Sequence, residues 1–209
     1  MINFPCVIVN FKTYSIDPVL FARAISVTEN VYACPQLPDM KEVGHICQTL
    51  AQHVDSPKQG KFTGAVLPEK ILEAGAFGSL INHSEKRIPW TEVKECVKRL
   101  KKLSLGSVVC VRNVKELNLV KKFKPTAIAV EPPELIGGKI SVSMAKPSLI
   151  KNACKNYKTV LVGAGIHNQK DVEAAMRLGA KGILVSSAVI KSSNPERWME
   201  DVIEVFDAR

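Results

Sequence analysis

Pro125-Thr126-Ala127-Ile128-Ala129-Val130-Glu131-Pro132-Pro133-Glu134-Leu135-Ile136-Gly137-Gly138-Lys139 is the stretch around which the rest of the chain is organised. Its first six residues, 125–130, have the length and residue types of a buried strand, and a carboxylate, Glu131, stands at the C-terminal end. Pro132 and Pro133 forbid helix immediately afterwards and fix their own φ angles, so a stiff segment follows the glutamate. Gly137 and Gly138 then offer backbone amides with no Cβ in front of them, which lets a chain approach a phosphate or hinge a lid. A base and a lid thus share one loop. The plainer alternative is a Pro/Gly surface turn carrying an incidental glutamate.

The same strand-then-helix pattern recurs eight times along the chain. Strands are expected at 6–10, 31–34, 49–54, 77–82, 107–111, 125–130, 159–162 and 182–185. Helices are expected at 18–27, 39–47, 68–74, 91–103, 114–123, 146–154 and 170–178, with a last one opened by Asn194-Pro195 and ending near 206. Eight βα units without a long linker make one α/β domain over 1–209, a single closed (β/α)8 barrel, the economical solution. A doubly wound open sheet is the runner-up, because closure is not readable from pattern.

Composition narrows the class. The chain has 209 residues, 46% of them hydrophobic, which is enough to bury a full core. No apolar run approaches the roughly 18 residues of a membrane span, and the N-terminus lacks the order of a signal peptide, so a cytoplasmic protein is expected. Cys6, Cys34, Cys47, Cys96, Cys110 and Cys154 are scattered without a C-x-x-C pair, which points to reduced thiols and to no metal site. The formal charge of +9 is compatible with nucleic acid, an anionic substrate or simple solubility. Its densest runs, Lys98-Arg99-Leu100-Lys101-Lys102 and Lys121-Lys122-Phe123-Lys124, sit at expected helix C-termini, where cations suit the macrodipole and read as a solvated face. No aromatic stacking platform is interleaved with them, so neither a nucleic acid nor a membrane is expected as a partner.

In a barrel the loops after the strands gather at one rim, so the residues just past each strand belong together. The first strand leads into Asn10-Phe11-Lys12-Thr13-Tyr14 and the fourth into Asn82-His83-Ser84-Glu85. A histidine at the start of a short helical turn feels a positive dipole end, which favours neutral imidazole as a hydrogen-bond donor. Ser84 and Glu85 read as an N-cap and a first-turn acid, and Glu85 is also a candidate anchor for Lys12. Three turns of small residues complete the rim: Gly137-Gly138, Gly163-Ala164-Gly165 and Ser186-Ser187-Ala188. Barrel phosphate sites commonly use the loops after strands seven and eight.

With those motifs assembled, the chain resembles the triosephosphate isomerase family, specifically its short archaeal type. The resemblance rests on Asn10 to Tyr14, Thr63-Gly64, Asn82 to Glu85, Glu131 to Gly137 and Gly163-Ala164-Gly165, in that order over nearly the whole chain. It implies a TIM barrel in which Glu131 is the proton-transferring base, His83 the electrophile and Lys12 the holder of an anionic substrate, with Asn10 and Phe11 beside it. By the same resemblance Gly137, Gly165, Ser186 and Ser187 supply phosphate amides, Ile136 closes over a small phosphorylated triose, and no cofactor or metal is required. Thr63 implies a loop that reaches a neighbouring subunit beside Lys12 and Glu85, hence a homodimer or homotetramer. The chain departs from the family's pattern in a short 14–34 stretch, in Ala188, and in Gly138-Lys139.

Two rival functions keep part of these observations. A phosphate-binding lyase or synthase on the same fold needs a wide mouth and further acid groups, which the short loops do not offer. A basic nucleic-acid-binding protein needs an affinity that falls steeply with salt.

Overall fold

A computed structural model describes residues 2–135 and 141–208. Eight strands form it: β1 Cys6–Asn10, β2 Val31–Cys34, β3 Gln48–Ala51, β4 Gly78–Ile81, β5 Gly106–Val111, β6 Ala127–Val130, β7 Val160–Val162 and β8 Gly182–Val185. They pair in chain order, all parallel, and β1 closes on β8 with Cys6 opposite Gly182, so the sheet is a closed barrel without edges. The structure therefore selects the barrel over the open sheet.

The strands read as nearly continuous apolar runs because both their faces are buried. Alternation still divides the core in two. Cys6, Ile8, Tyr32, Cys34, Leu50, Leu80, Val108, Cys110, Ala127, Ala129, Leu161 and Leu184 form the barrel interior. Val7, Val9, Val31, Ala33, Val109, Ile128 and Val160 face outward, against the helices. The inward parity ends on Asn10 in β1 and, continued one residue past the strands, gives Asn82, Glu131, Gly163 and Ser186. Side-chain period two thus delivers these residues to one mouth.

The helices among the described residues are α1 Pro18–Ile25, α2 Met40–Val43, α3 Pro68–Glu73, α4 Trp90–Lys102, α5 Val114–Val120, α6 Val142–Ala145, α7 Pro147–Asn156, α8 Gln169–Arg177, α9 Ser187–Ile190 and α10 Pro195–Asp207. Side-chain caps begin several of them: Asp17 accepts from the amides of Val19 and Leu20, and Asn113, Asn168 and Asn194 cap α5, α8 and α10. Several expectations were too long, three of them for reasons visible in the contacts. α1 ends at Ile25, where the Ser26 hydroxyl turns to the Ile46 carbonyl at 3.0 Å. α2 keeps four residues after a 3-10 turn at Leu37–Asp39. β3 ends at Ala51, because the Gln52 side chain donates to the carbonyls of Lys12 at 3.0 Å and Cys34 at 2.9 Å, and the chain leaves the ladder there. Among the described residues no helix is long and apolar enough to cross a membrane.

Candidate active site

Lys12 leaves β1 in the left-handed region, with φ 48°. A lysine there is strained by roughly 1 kcal/mol or more, and it persists only where its surroundings hold it. Its amide donates to Asn10 Oδ1 at 2.9 Å and its carbonyl accepts from Gln52, so both ends of the strained residue are held. The Nζ donates to Glu85 Oε1 at 2.7 Å, which fixes the cation at the mouth. Phe11, between Asn10 and Lys12, turns the other way. Its ring meets Phe21 edge-on at 5.2 Å in the outer core and lines neither cavity described below.

The segment after β4 is a hydrogen-bonded turn, with helix beginning only at Trp90, so Ser84 is not an N-cap. A different device sets the imidazole. The Glu85 amide donates to His83 Nδ1 at 3.2 Å, which leaves the proton on Nε2. Burial, with the Lys12 cation as the next cause, pulls the His83 pKa down to about 4, so the ring is neutral near neutral pH. Asn82, itself at φ 62°, donates to the Cys110 carbonyl and accepts from the Ile88 amide. Arg87 donates to the Asn82 carbonyl at 3.1 Å and pairs with Glu116, which ties the turn to α5.

Glu131 stands at the end of β6, its amide bonded to the Val111 carbonyl at 2.8 Å. The residue is 3% exposed, and burial lifts its pKa to about 7 despite a hydrogen bond from the Cys110 thiol that favours the charged form. Its Oε1 lies 3.5 Å from His83 Nε2. Its Oε2 has no hydrogen-bond partner among the described residues. A carboxylate with a free oxygen, a neutral imidazole donor and a cation thus converge on one small space.

That space is a cavity of about 250 Å3 lined by Lys12, His83, Glu131, Gly165, Ser186 and Ser187, among others. Gly165 takes φ 66°, which turns its amide in a way other residues adopt only under strain. The Ser186 hydroxyl is buried without a partner among the described residues. The mouth of the site is therefore amide-rich and cationic, which suits an anion. A larger cavity, about 690 Å3, adjoins it and shares Lys12, His83 and Glu85 but not Glu131, so the carboxylate chemistry belongs to the smaller one.

Ile136 and Gly137, with Gly138 and Lys139, lie outside the described residues. Thr63 sits exposed in the loop between β3 and α3 and lines neither cavity of its own chain. Sequence reasoning missed Gln52, Cys110, Arg87 and His167. Gln52 is the first residue beyond the end of β3, a rim signal that was readable. Cys110 reads as one more apolar residue in a strand, and only the barrel brings it to Glu131. His167 lines the small cavity after β7 and carries no signal in the sequence.

The family model for triosephosphate isomerase matches residues 5–205. The chain is 40% identical to the triosephosphate isomerase of Sulfurisphaera tokodaii, with 95% of this chain and 94% of the relative covered. It is 42% identical to that of Saccharolobus solfataricus, covering 92% and 82%. With the enzyme of Methanobrevibacter smithii the identity is 38%, covering 96% and 98%.

Proposed function

The chain belongs to the triosephosphate isomerase family, and from that premise we propose that it interconverts D-glyceraldehyde 3-phosphate and dihydroxyacetone phosphate, a step of glycolysis and gluconeogenesis, with Glu131 as the base. The Glu131 carboxylate takes a proton from the carbon beside the substrate carbonyl. The electron pair moves onto the carbonyl oxygen, giving an enediolate. The carboxylic acid so formed, whose proton exchanges with solvent, then protonates the former carbonyl carbon, while the hydroxyl proton passes from one substrate oxygen to the other by way of His83 Nε2. The sum is an isomerisation with no net redox change. The Nε2–H of His83 and the Lys12 ammonium meet the developing negative charge, and both are in place before the reaction, so little reorganisation is needed.

The reading is carried by one observation: a buried carboxylate with a pKa near 7 and a free oxygen, 3.5 Å from a neutral imidazole donor. A base that titrates near the working pH combines ionisation with basicity, which general-base catalysis requires. The amides of Gly165, Ser186 and Ser187, with Lys12, hold the phosphate in this account.

The protein acts as a homo-oligomer, at least a dimer, in the same reading. Residues 58–64 are exposed in succession, and Phe62 is 53% exposed. The adjoining cavity, lined by Lys12, Tyr14 and Glu85, receives this loop from a second copy, which brings Thr63 of the partner subunit to the site. The test of the function is a coupled assay of D-glyceraldehyde 3-phosphate conversion run in heavy water. Turnover with solvent deuterium appearing on the carbon beside the carbonyl supports the mechanism. Turnover without exchange, or none, removes it.

A further inference from the structure

Arg99 lies in α4 within the basic run that reads as a solvated helix end, yet it is only 7% exposed. Its guanidinium reaches across to the loop between β3 and α3. One nitrogen, Nη1, donates to the carbonyls of Asp55 at 3.3 Å, Ser56 at 3.1 Å and Pro57, while Nη2 pairs with Glu69 in the first turn of α3. Three consecutive carbonyls face one nitrogen. Carbonyl dipoles repel when they converge, so this bend of the chain needs the cation at its centre.

The consequences run outward along the loop. Asp55 donates its amide to the Val66 carbonyl at 2.8 Å and accepts the Val66 amide on Oδ2 at 2.7 Å, so the neck of the loop is closed. His53 Nε2 holds the other carboxylate oxygen of Asp55 at 3.0 Å. Beyond the neck the hydrogen bonds are local, from the Phe62 amide to Gly60 and from the Ala65 amide to Phe62. The exposed tip takes its direction from the root, and the root is held by Arg99.

We propose that Arg99 is a positioning residue that orders this loop in the single subunit for docking on a second copy. The proposal rests on the dimer reading above and extends it to a residue in neither cavity. A loop already ordered before association loses less conformational freedom on docking, so the same contacts give tighter binding. Arg99 then sets the dimer affinity, and through it the fraction of complete active sites, without touching substrate.

The test is a dilution series of wild type, Arg99→Met and Arg99→Lys, followed by sedimentation and specific activity together, with melting temperature and turnover at saturating protein concentration. Arg99→Met is expected to raise the dimer dissociation constant about tenfold or more, a loss comparable to freeing about one loop residue or more. Arg99→Lys keeps the charge but not the planar fork of donors, and is expected to fall between the two. In both variants turnover per subunit returns towards wild type at high protein concentration, which a general loss of folding does not allow. If Arg99→Met fails to fold, Arg99→Lys decides alone. A dimeric wild type with the same affinity in the Arg99 variants overturns the proposal and leaves the dimer standing. A fully active monomeric wild type removes the dimer reading, and the proposal with it.

Discussion

The side chain of Glu131 occupies the space that a Cβ on Gly163 would need, its Cγ 2.6 Å and its Oε1 2.8 Å from that point. Gly163 is therefore a glycine for the sake of the neighbouring strand's carboxylate. Gly163→Ala must displace Glu131 while leaving the barrel closed. Misplacing a reacting group by about 1 Å typically lowers turnover on the order of a hundredfold, and that is the expected loss here. Steady-state kinetics beside a melting curve check it, and an unchanged kcat would show that the carboxylate does not need this space.

The two buried groups of the site give opposite slopes of stability with pH. Glu131 keeps a proton in the fold up to about 7 that the unfolded chain releases near 4.5, so stability falls as pH rises through that window. His83 in the unfolded chain takes up a proton near 6.5 that the fold refuses down to about 4, so stability rises with pH there. Each contribution totals roughly 3 kcal/mol over its whole window, and in the wild type the two largely offset one another between pH 4.5 and 6.5. Denaturant titrations should show stability rising with pH in Glu131→Gln and falling with pH in His83→Gln. Parallel slopes in the two variants would contradict the assignment.

Cys110 donates to the Glu131 carboxylate and so favours its charged form. Cys110→Ala removes the donor, raises the carboxyl pKa further, and should move the rising limb of kcat/KM against pH to higher pH. A limb that stays in place would mean the thiol does not touch the titrating group.

Lys12 faces the mouth from a strained backbone and shares its charge with Glu85. Lys12→Ala should weaken a phosphate-bearing substrate analogue far more than a neutral one of the same carbon skeleton, measured by calorimetry. Equal losses for both would remove its role as the anion's counter-charge.

Much of this arrangement was legible because local patterns agree with the global fold. Runs such as Cys6–Asn10 and Ala127–Val130 are apolar enough to be strands buried on both faces, and the end of each run marks the rim. Those ends put Lys12, His83 and Glu131 on the rim, and the family resemblance, not the pattern, singled them out from their neighbours. The reason His83 is neutral was less legible, because burial and the Lys12 cation, rather than a helix start, hold its pKa down, while the Glu85 amide settles only which nitrogen keeps the proton. Arg99 was misread, because a basic run says nothing of which member turns inward. Gly163 read as one more amide donor, since a steric demand from a side chain on another strand leaves no trace in local sequence.

In the proposed reaction the Glu131 carboxylate moves the proton. Glu131→Gln keeps the shape of the side chain and removes the base, so the direct measurement is kcat for D-glyceraldehyde 3-phosphate in that variant, with binding of a phosphate-bearing analogue measured on the same preparation. Turnover is expected to fall by about two to four orders of magnitude with analogue binding largely kept. Near-normal turnover in a folded, analogue-binding Glu131→Gln protein would contradict it.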